Sequence, residues 1–280
     1  MRALRRLVSP TLGVNHGEPV LAWLLRDMPW LHGPGHTWRT ALGVFGLSFL
    51  LGALTGALLA RSEAIAWIIL PLIGSRFVLD GLTMTRSWGR IGLEYRTGRW
   101  DLLRLTAQTE GAILRAYYAA SCAGVWREML VFLGLQTGML LTTTLADVAT
   151  FTGYPASALW VILVSLGAVA ILGFDLLLRP RAVAALGLAL AASAPRAGLA
   201  AVLGGVALIG FWFAQFVALL AGFFVASFLA VLPSSEVGAV FVSTLLAIAT
   251  LTPPLLVTLF VQRTALFRLA VAVAARDASA

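Results

Sequence analysis

All twenty basic side chains of this 280-residue chain are arginines and none is a lysine, which already limits the chemistry. Without lysine there is no Schiff-base amine and no GxxxxGK phosphate loop, so the chain does not read as its own ATPase of that class. The single cysteine, Cys122, allows no internal disulfide and no thiolate metal cluster. His16, His32 and His36 all precede the first long apolar run and do not fit H-E-x-x-H; they read as interfacial polar residues. No histidine or carboxylate pair converges on a nucleophile, so no enzyme activity, metal or cofactor is expected. What remains is charge inside apolar runs: Arg76 and Asp80, one helical turn apart, and Asp175 and Arg179 at the same spacing. An ion in hydrocarbon costs a few kcal/mol or more, and neighbours at i,i+4 can pair. Arg76 and Asp80 are therefore expected to form an intramembrane ion pair. It would either line a translocation path or partner face, or brace the segment that follows. Asp175 and Arg179 are expected to form a structural pair near water, at the inner end of their span.

The elements that hold these residues follow from composition. The chain is 60% hydrophobic and only 11% charged, with a mean hydropathy of +0.94. A chain so poor in charge cannot cover its own surface in water, and lipid must do so. The net charge of +8, which would suggest nucleic acid in a soluble protein, belongs here to membrane topology. Runs long enough to cross a bilayer, about 20 apolar residues each, are Thr40–Ala60, Ala64–Met84, Met129–Val148, Ala156–Leu178, Leu199–Leu232 and Val237–Val261. The expected fold is an all-α polytopic bundle of six spans, one transmembrane domain over residues 1–280. Eighteen arginines fall on one side of these spans and only Arg61 on the other, which places both termini in the cytoplasm of a plasma (inner) membrane protein.

Some stretches fit no simple span. Residues 1–39 read as a cytoplasmic and interfacial segment rather than a cleavable signal peptide, because Val20–Leu25 is short and is followed by Arg26 and Asp27. Pro19–Leu31, with Trp23 and Trp30, suits a helix in the headgroup plane. Leu199–Leu232 would be about 51 Å long as one helix, against a hydrocarbon core of about 30 Å. It is expected to break into a span over 199–217 and a re-entrant piece over 219–232. Ala182–Ala194 is too short to cross and should extend the fourth span or lie along the interface. Gly52-x-x-x-Gly56 permits close helix approach, within the chain or at a dimer seam, and Pro253-Pro254 should bend the last span.

The segment 86–127, between the second and third spans, is cytoplasmic in this scheme and too elaborate for a plain anchor. Thr97-Gly98 can end one helix and let another begin near Trp100, with Asp101 in its first turn. Trp100, Leu103, Ala107, Ile113 or Leu114, and Tyr117 fall near helical spacing and define an amphipathic helix.

The pattern Glu94-x-x-x-Gly98-x-Trp100-Asp101-Leu102-Leu103-x-x-Thr106 resembles the signature after the second span of permease subunits of type-2 ABC exporters, roughly E-x-x-x-G-T-[WL]-[DE]-L-L-x-x-T-P. Glu18-Pro19-Val20-Leu21 and the stretch from Leu186 to Arg196 are weaker echoes of the same family. Arg99 and Ala107 depart from its usual Thr and Pro, as in a divergent member. The resemblance implies that Glu94, Gly98, Arg99, Trp100, Asp101, Leu102, Leu103 and Thr106 form a coupling segment on which a separate ATPase docks. It also implies a second permease subunit, identical or related, and no nucleic-acid partner. The alternative from a different class is a non-transporting structural or assembly subunit of a larger membrane complex.

Overall fold

The computed structural model describes residues 19–26, 34–60, 69–97, 102–103, 109–150, 155–193, 197–230 and 252–271. The described elements are helices: α1 Pro19–Leu25, α2 Pro34–Ala60, α3 Ile69–Arg96, α4 Glu110–Gly124, α5 Trp126–Thr150, α6 Pro155–Ser193 and α7 Ala197–Ala230, then α8 Thr252–Val271. Four carry stretches long and apolar enough to cross a membrane: Arg39–Leu58, Trp126–Ala146, Ala201–Gly222 and Thr252–Val271. Their outward faces are what lipid requires, with Leu47, Leu50 and Leu54 on α2, Val206, Ile209 and Phe213 on α7, and Phe260 and Phe267 on α8 all exposed. The other two expected spans fall within α3 and α6, the helices that carry Arg76, Asp80, Asp175 and Arg179.

Side-chain contacts fix the helix directions. On α2, a Cβ added at Gly52 would strike the Leu135 carbonyl of α5, and one at Gly56 would lie 2.9 Å from the Met139 carbonyl. Both partners advance together, so α2 and α5 are parallel. The expected GxxxG seam is thus intramolecular, and α5 answers it with Gly134 and Gly138, whose added Cβ atoms would meet the Phe45 and Phe49 carbonyls. Without side chains the two backbones approach closely and gain dispersion contacts along the seam. In contrast α3 runs antiparallel to α5: Gln136 donates to Ser75 Oγ at 2.7 Å, while Arg86 reaches Glu128 at 2.8 Å and the Gly124 carbonyl. That arginine sits between the carbonyl end of α4 and the first turn of α5, where its charge complements the one and Glu128 suits the other.

One expectation about helix extent is corrected, and two helices run on past their apolar spans. The run from Leu199 does not break near residue 218: α7 is one helix of 34 residues. It contains no proline, and an uninterrupted helix satisfies every interior backbone group where water is scarce. α3 runs past the end of its apolar stretch at Met84 to Arg96, so about the first quarter of the expected cytoplasmic segment is a helical extension. α6 passes through Pro180 and ends at Ser193, extending the fourth span through Ala182–Ala192 as one of the two alternatives foresaw.

That extension builds a second core. Ala185, Leu188 and Ala192 of α6 pack with Val20, Leu21, Leu24 and Leu25 of α1, with Ile113, Leu114 and Tyr117 of α4, and with Ala265 and Leu269 of α8. α1 therefore buries its apolar stripe in protein and leaves Trp23 exposed. The apolar stripe of the amphipathic helix expected in the segment 86–127 is likewise core at its far end: Ile113 and Tyr117 of α4 are fully buried. Thr109 caps α4, its hydroxyl accepting from the Ala112 N–H at 3.3 Å.

Candidate functional site

Arg76, Asp80, Asp175 and Arg179, the four charges that the sequence sets in apolar runs, converge on one site between α3, α6, α7 and α8. Arg179 of α6 is at its centre. Its Nε donates to both oxygens of Asp80 at 2.9 and 2.8 Å, and its Nη1 donates to Asp175 Oδ2 at 3.3 Å and to Gln215 Oε1 at 2.7 Å. The Phe211 ring lies 5.1 Å from the guanidinium carbon, placing a π face against the cation. Asp80 also accepts from Trp212 Nε1 at 2.9 Å, and Asp175 Oδ1 from the Thr258 hydroxyl at 2.9 Å. Gln215 closes the set, its Nε2 reaching Thr258 Oγ1 at 2.7 Å and the Pro254 carbonyl at 3.2 Å.

Arg76 and Asp80 do meet opposite charges, but on another helix. Arg76 pairs with Asp175 at 3.2 Å and Asp80 with Arg179 at 2.8 Å, so the expected pairing within α3 gives way to two pairs across α3 and α6. The reason is register. α3 and α6 are parallel, and Arg-x-x-x-Asp on one faces Asp-x-x-x-Arg on the other with every charge opposite its complement. The Asp175–Arg179 pair forms as expected at i,i+4. It does not lie near water, because α6 continues 14 residues past Arg179, and both side chains are only 3% exposed. The cluster holds two acids and two arginines, so its net charge is zero, and pairing with hydrogen bonding offsets the desolvation of each ion. Arg76 is its outermost member, 17% exposed.

Trp212, Gln215 and Thr258 escaped the sequence reading. Gln215 is the one amide in the long run Leu199–Leu232 and was visible as an intramembrane polar residue. Trp212 and Thr258 carried no comparable signal, since both are common in apolar helices.

The second candidate element is the segment after α3. The helix ends at Arg96 and turns at Thr97, where the sequence placed a break, and the Thr97 hydroxyl donates to the Glu94 carbonyl at 3.3 Å. Glu94 is buried. Leu102 and Leu103 are helical again; Leu102 is exposed, and Leu103 packs against the core shared by α1, α4 and α6. Gly98, Arg99, Trp100, Asp101 and Thr106 lie outside the described residues.

Among the described residues no group of three or more His, Cys, Asp or Glu could hold a metal ion. No family model, curated protein or solved structure matches this chain.

Proposed function

We propose that this chain is the membrane permease subunit of an ATP-driven ABC-type exporter, binding a separate ATPase through Glu94–Thr106 and working beside a second, identical or related permease subunit. One observation carries the reading. α3 is a single helix from the charged cluster at Arg76 and Asp80 past Arg86 to Arg96, and it ends where the coupling pattern begins its turn. A push delivered to that segment by ATP-driven closure would travel along an unbroken rod. At Asp80 it would pass through Arg179 to α6 and through Trp212 to α7.

Helix direction supports the six-span form of this proposal. α7 is antiparallel to α3, since Trp212 meets Asp80 while Gly204 lies beside Trp88. α8 is antiparallel to α7, since Gln215 meets Pro254 and Leu208 shares a core with Val261. With α3 and α6 parallel, the order α2, α3, α5, α6, α7, α8 alternates, and the arginine-rich ends fall together, as cytoplasmic ends in a plasma (inner) membrane would.

The test is to replace Trp100 and Asp101 with Ala in the full chain and measure co-purification of a co-expressed ATPase. Loss of the ATPase from a well-folded variant is expected; full retention contradicts docking at this segment.

A second reading, a structural or assembly subunit without transport, draws on the charged cluster itself. Its carboxylates accept from arginine, tryptophan and threonine of the same chain, which suits a brace better than a substrate contact.

A further inference from the structure

We propose that Arg263 of α8 binds an anionic phospholipid, holding the headgroup phosphate against the outward face of the helix. The inference goes beyond the permease reading and stands whether or not an ATPase docks. It begins with the two faces of α8. Pro254, Thr258, Ala265 and Leu269 are buried; Thr258 reaches Asp175, while Ala265 and Leu269 join the core of α1, α4 and α6. On the opposite side Leu256, Phe260, Arg263 and Phe267 recur at helical spacing as one stripe, and all four are exposed. Phe260 is 71% and Phe267 70% exposed, and Val271, about 12 Å further along the axis than Arg263, is exposed as well. The arginine therefore lies inside an apolar face that lipid covers, not at its rim.

That position leaves a charge to be met, because a cation turned towards hydrocarbon is expensive until a counter-charge reaches it. Arg76, Arg86 and Arg179 each have a carboxylate within the chain, whereas among the described residues no hydrogen bond or ion pair reaches Arg263. An acid on another subunit's helix would have to come close, and the stripe does not admit close approach. α2 and α5 meet through Gly52, Gly56, Gly134 and Gly138; from Leu256 to Phe267 the outward stripe of α8 sets leucine and phenylalanine about the arginine instead. A phospholipid suits both parts of this surface. The long arginine stem carries the guanidinium to the phosphate, whose oxygens its planar fork matches two at a time, and the acyl chains lie along Phe260 and Leu256. Arg268, exposed five residues on and about 7.5 Å further along the axis, selects the headgroup. A choline or ethanolamine group would bring a third cation to this end of α8, whereas a headgroup with net negative charge offsets the two already there.

The experiment uses the full chain in nanodiscs of phosphatidylcholine, with or without phosphatidylglycerol. A bimane on Leu266→Cys, one turn from Arg263, reports which lipid lies beside it through quenching by nitroxide-labelled phosphatidylglycerol or nitroxide-labelled phosphatidylcholine at the same low mole fraction. Cys122 should not compete for the label, because burial pushes its thiol up to about 12. The phosphatidylglycerol probe is expected to occupy the site about fivefold more than the phosphatidylcholine probe. Arg263→Gln should abolish that preference, while Arg115→Gln, which removes the same charge from α4, should keep it. Thermal unfolding gives a second reading with a change of sign. With phosphatidylglycerol present the wild type should be the more stable; in phosphatidylcholine alone Arg263→Gln should equal or exceed it, because an unmet charge has been removed.

Equal quenching of the wild type by the two lipids, or a phosphatidylglycerol preference that survives Arg263→Gln, would overturn the assignment. So would a complex extracted in its native membrane in which neither probe reaches Leu266→Cys while the isolated chain is quenched by both alike, since another subunit's helix would then cover Arg263.

Discussion

Arg179 is the hub of the cluster, since it touches both carboxylates and the amide. Arg179→Ala would leave Asp80 and Asp175 buried with only Arg76 between them, and breaking such a pair costs about 3–5 kcal/mol. Thermal unfolding in detergent should show that loss, with a smaller one for Arg76→Ala, because Arg76 is partly exposed and makes one ion pair. A double-mutant cycle on Asp80 and Arg179 should give a loss for the double variant well below the sum of the two singles; additive losses would contradict the contact. Cys122 offers a second check at this scale. Its raised pKa keeps the thiol protonated at neutral and mildly alkaline pH, so alkylation should be slow in the native protein and rapid on unfolding. The sequence made the four charges visible and one of their three ion pairs. The other two depend on α3 lying parallel to α6, a tertiary fact that i,i+4 spacing within a helix does not encode. The complementary order, Arg then Asp on one helix and Asp then Arg on the other, was nevertheless present to be read.

Helices pack in this chain by two different means. α2 and α5 meet through glycine, backbone to backbone, whereas α3, α6, α7 and α8 are tied by charge and hydrogen bonds. Gly138→Ala and Gly52→Ala each place a Cβ against a carbonyl of the neighbouring helix, and overpacking of this kind costs about 1–3 kcal/mol. Gly43→Ala and Gly46→Ala on the same α2 meet nothing within 4 Å, and the gain in helix propensity, up to about 1 kcal/mol, should leave stability equal or higher. A denaturation series that ranks the four alike would refute the seam. Thr109→Ala should weaken α4 by about 1 kcal/mol through its lost cap, measured in the same assay. The apolar runs made helix existence legible, and Thr97 marked the end of α3. Helix length was less legible, because hydropathy marks where lipid begins and ends rather than where a helix does. α3 and α6 both continue past their apolar stretches, held by protein contacts with Met84 and Ser87 against Gly187. The burial of α1 and α4 was hidden for the same reason: an amphipathic face is the same sequence whether lipid or the end of α6 covers it.

At the scale of the whole molecule, the proposed topology puts the arginine-rich helix ends of a membrane bundle in the cytoplasm. Single cysteines at Thr97 and Ser279 should react with a membrane-impermeant maleimide only after the cells are opened, and those at Ser62, Thr152 and Ser235 in intact cells. Labelling of Thr97→Cys from outside would reverse the topology and take the docking segment away from any ATPase. Function was the least legible level. A 13-residue pattern carries the coupling assignment, and the composition that betrays a membrane protein is indifferent to what the membrane protein does. The most direct measurement is native mass spectrometry of the complex extracted with its own lipids from the cells that make it. The account predicts two permease subunits, two copies of this chain or one with a related partner, together with two nucleotide-binding ATPase chains. This chain alone, or assembled only with subunits that bind no nucleotide, would contradict it.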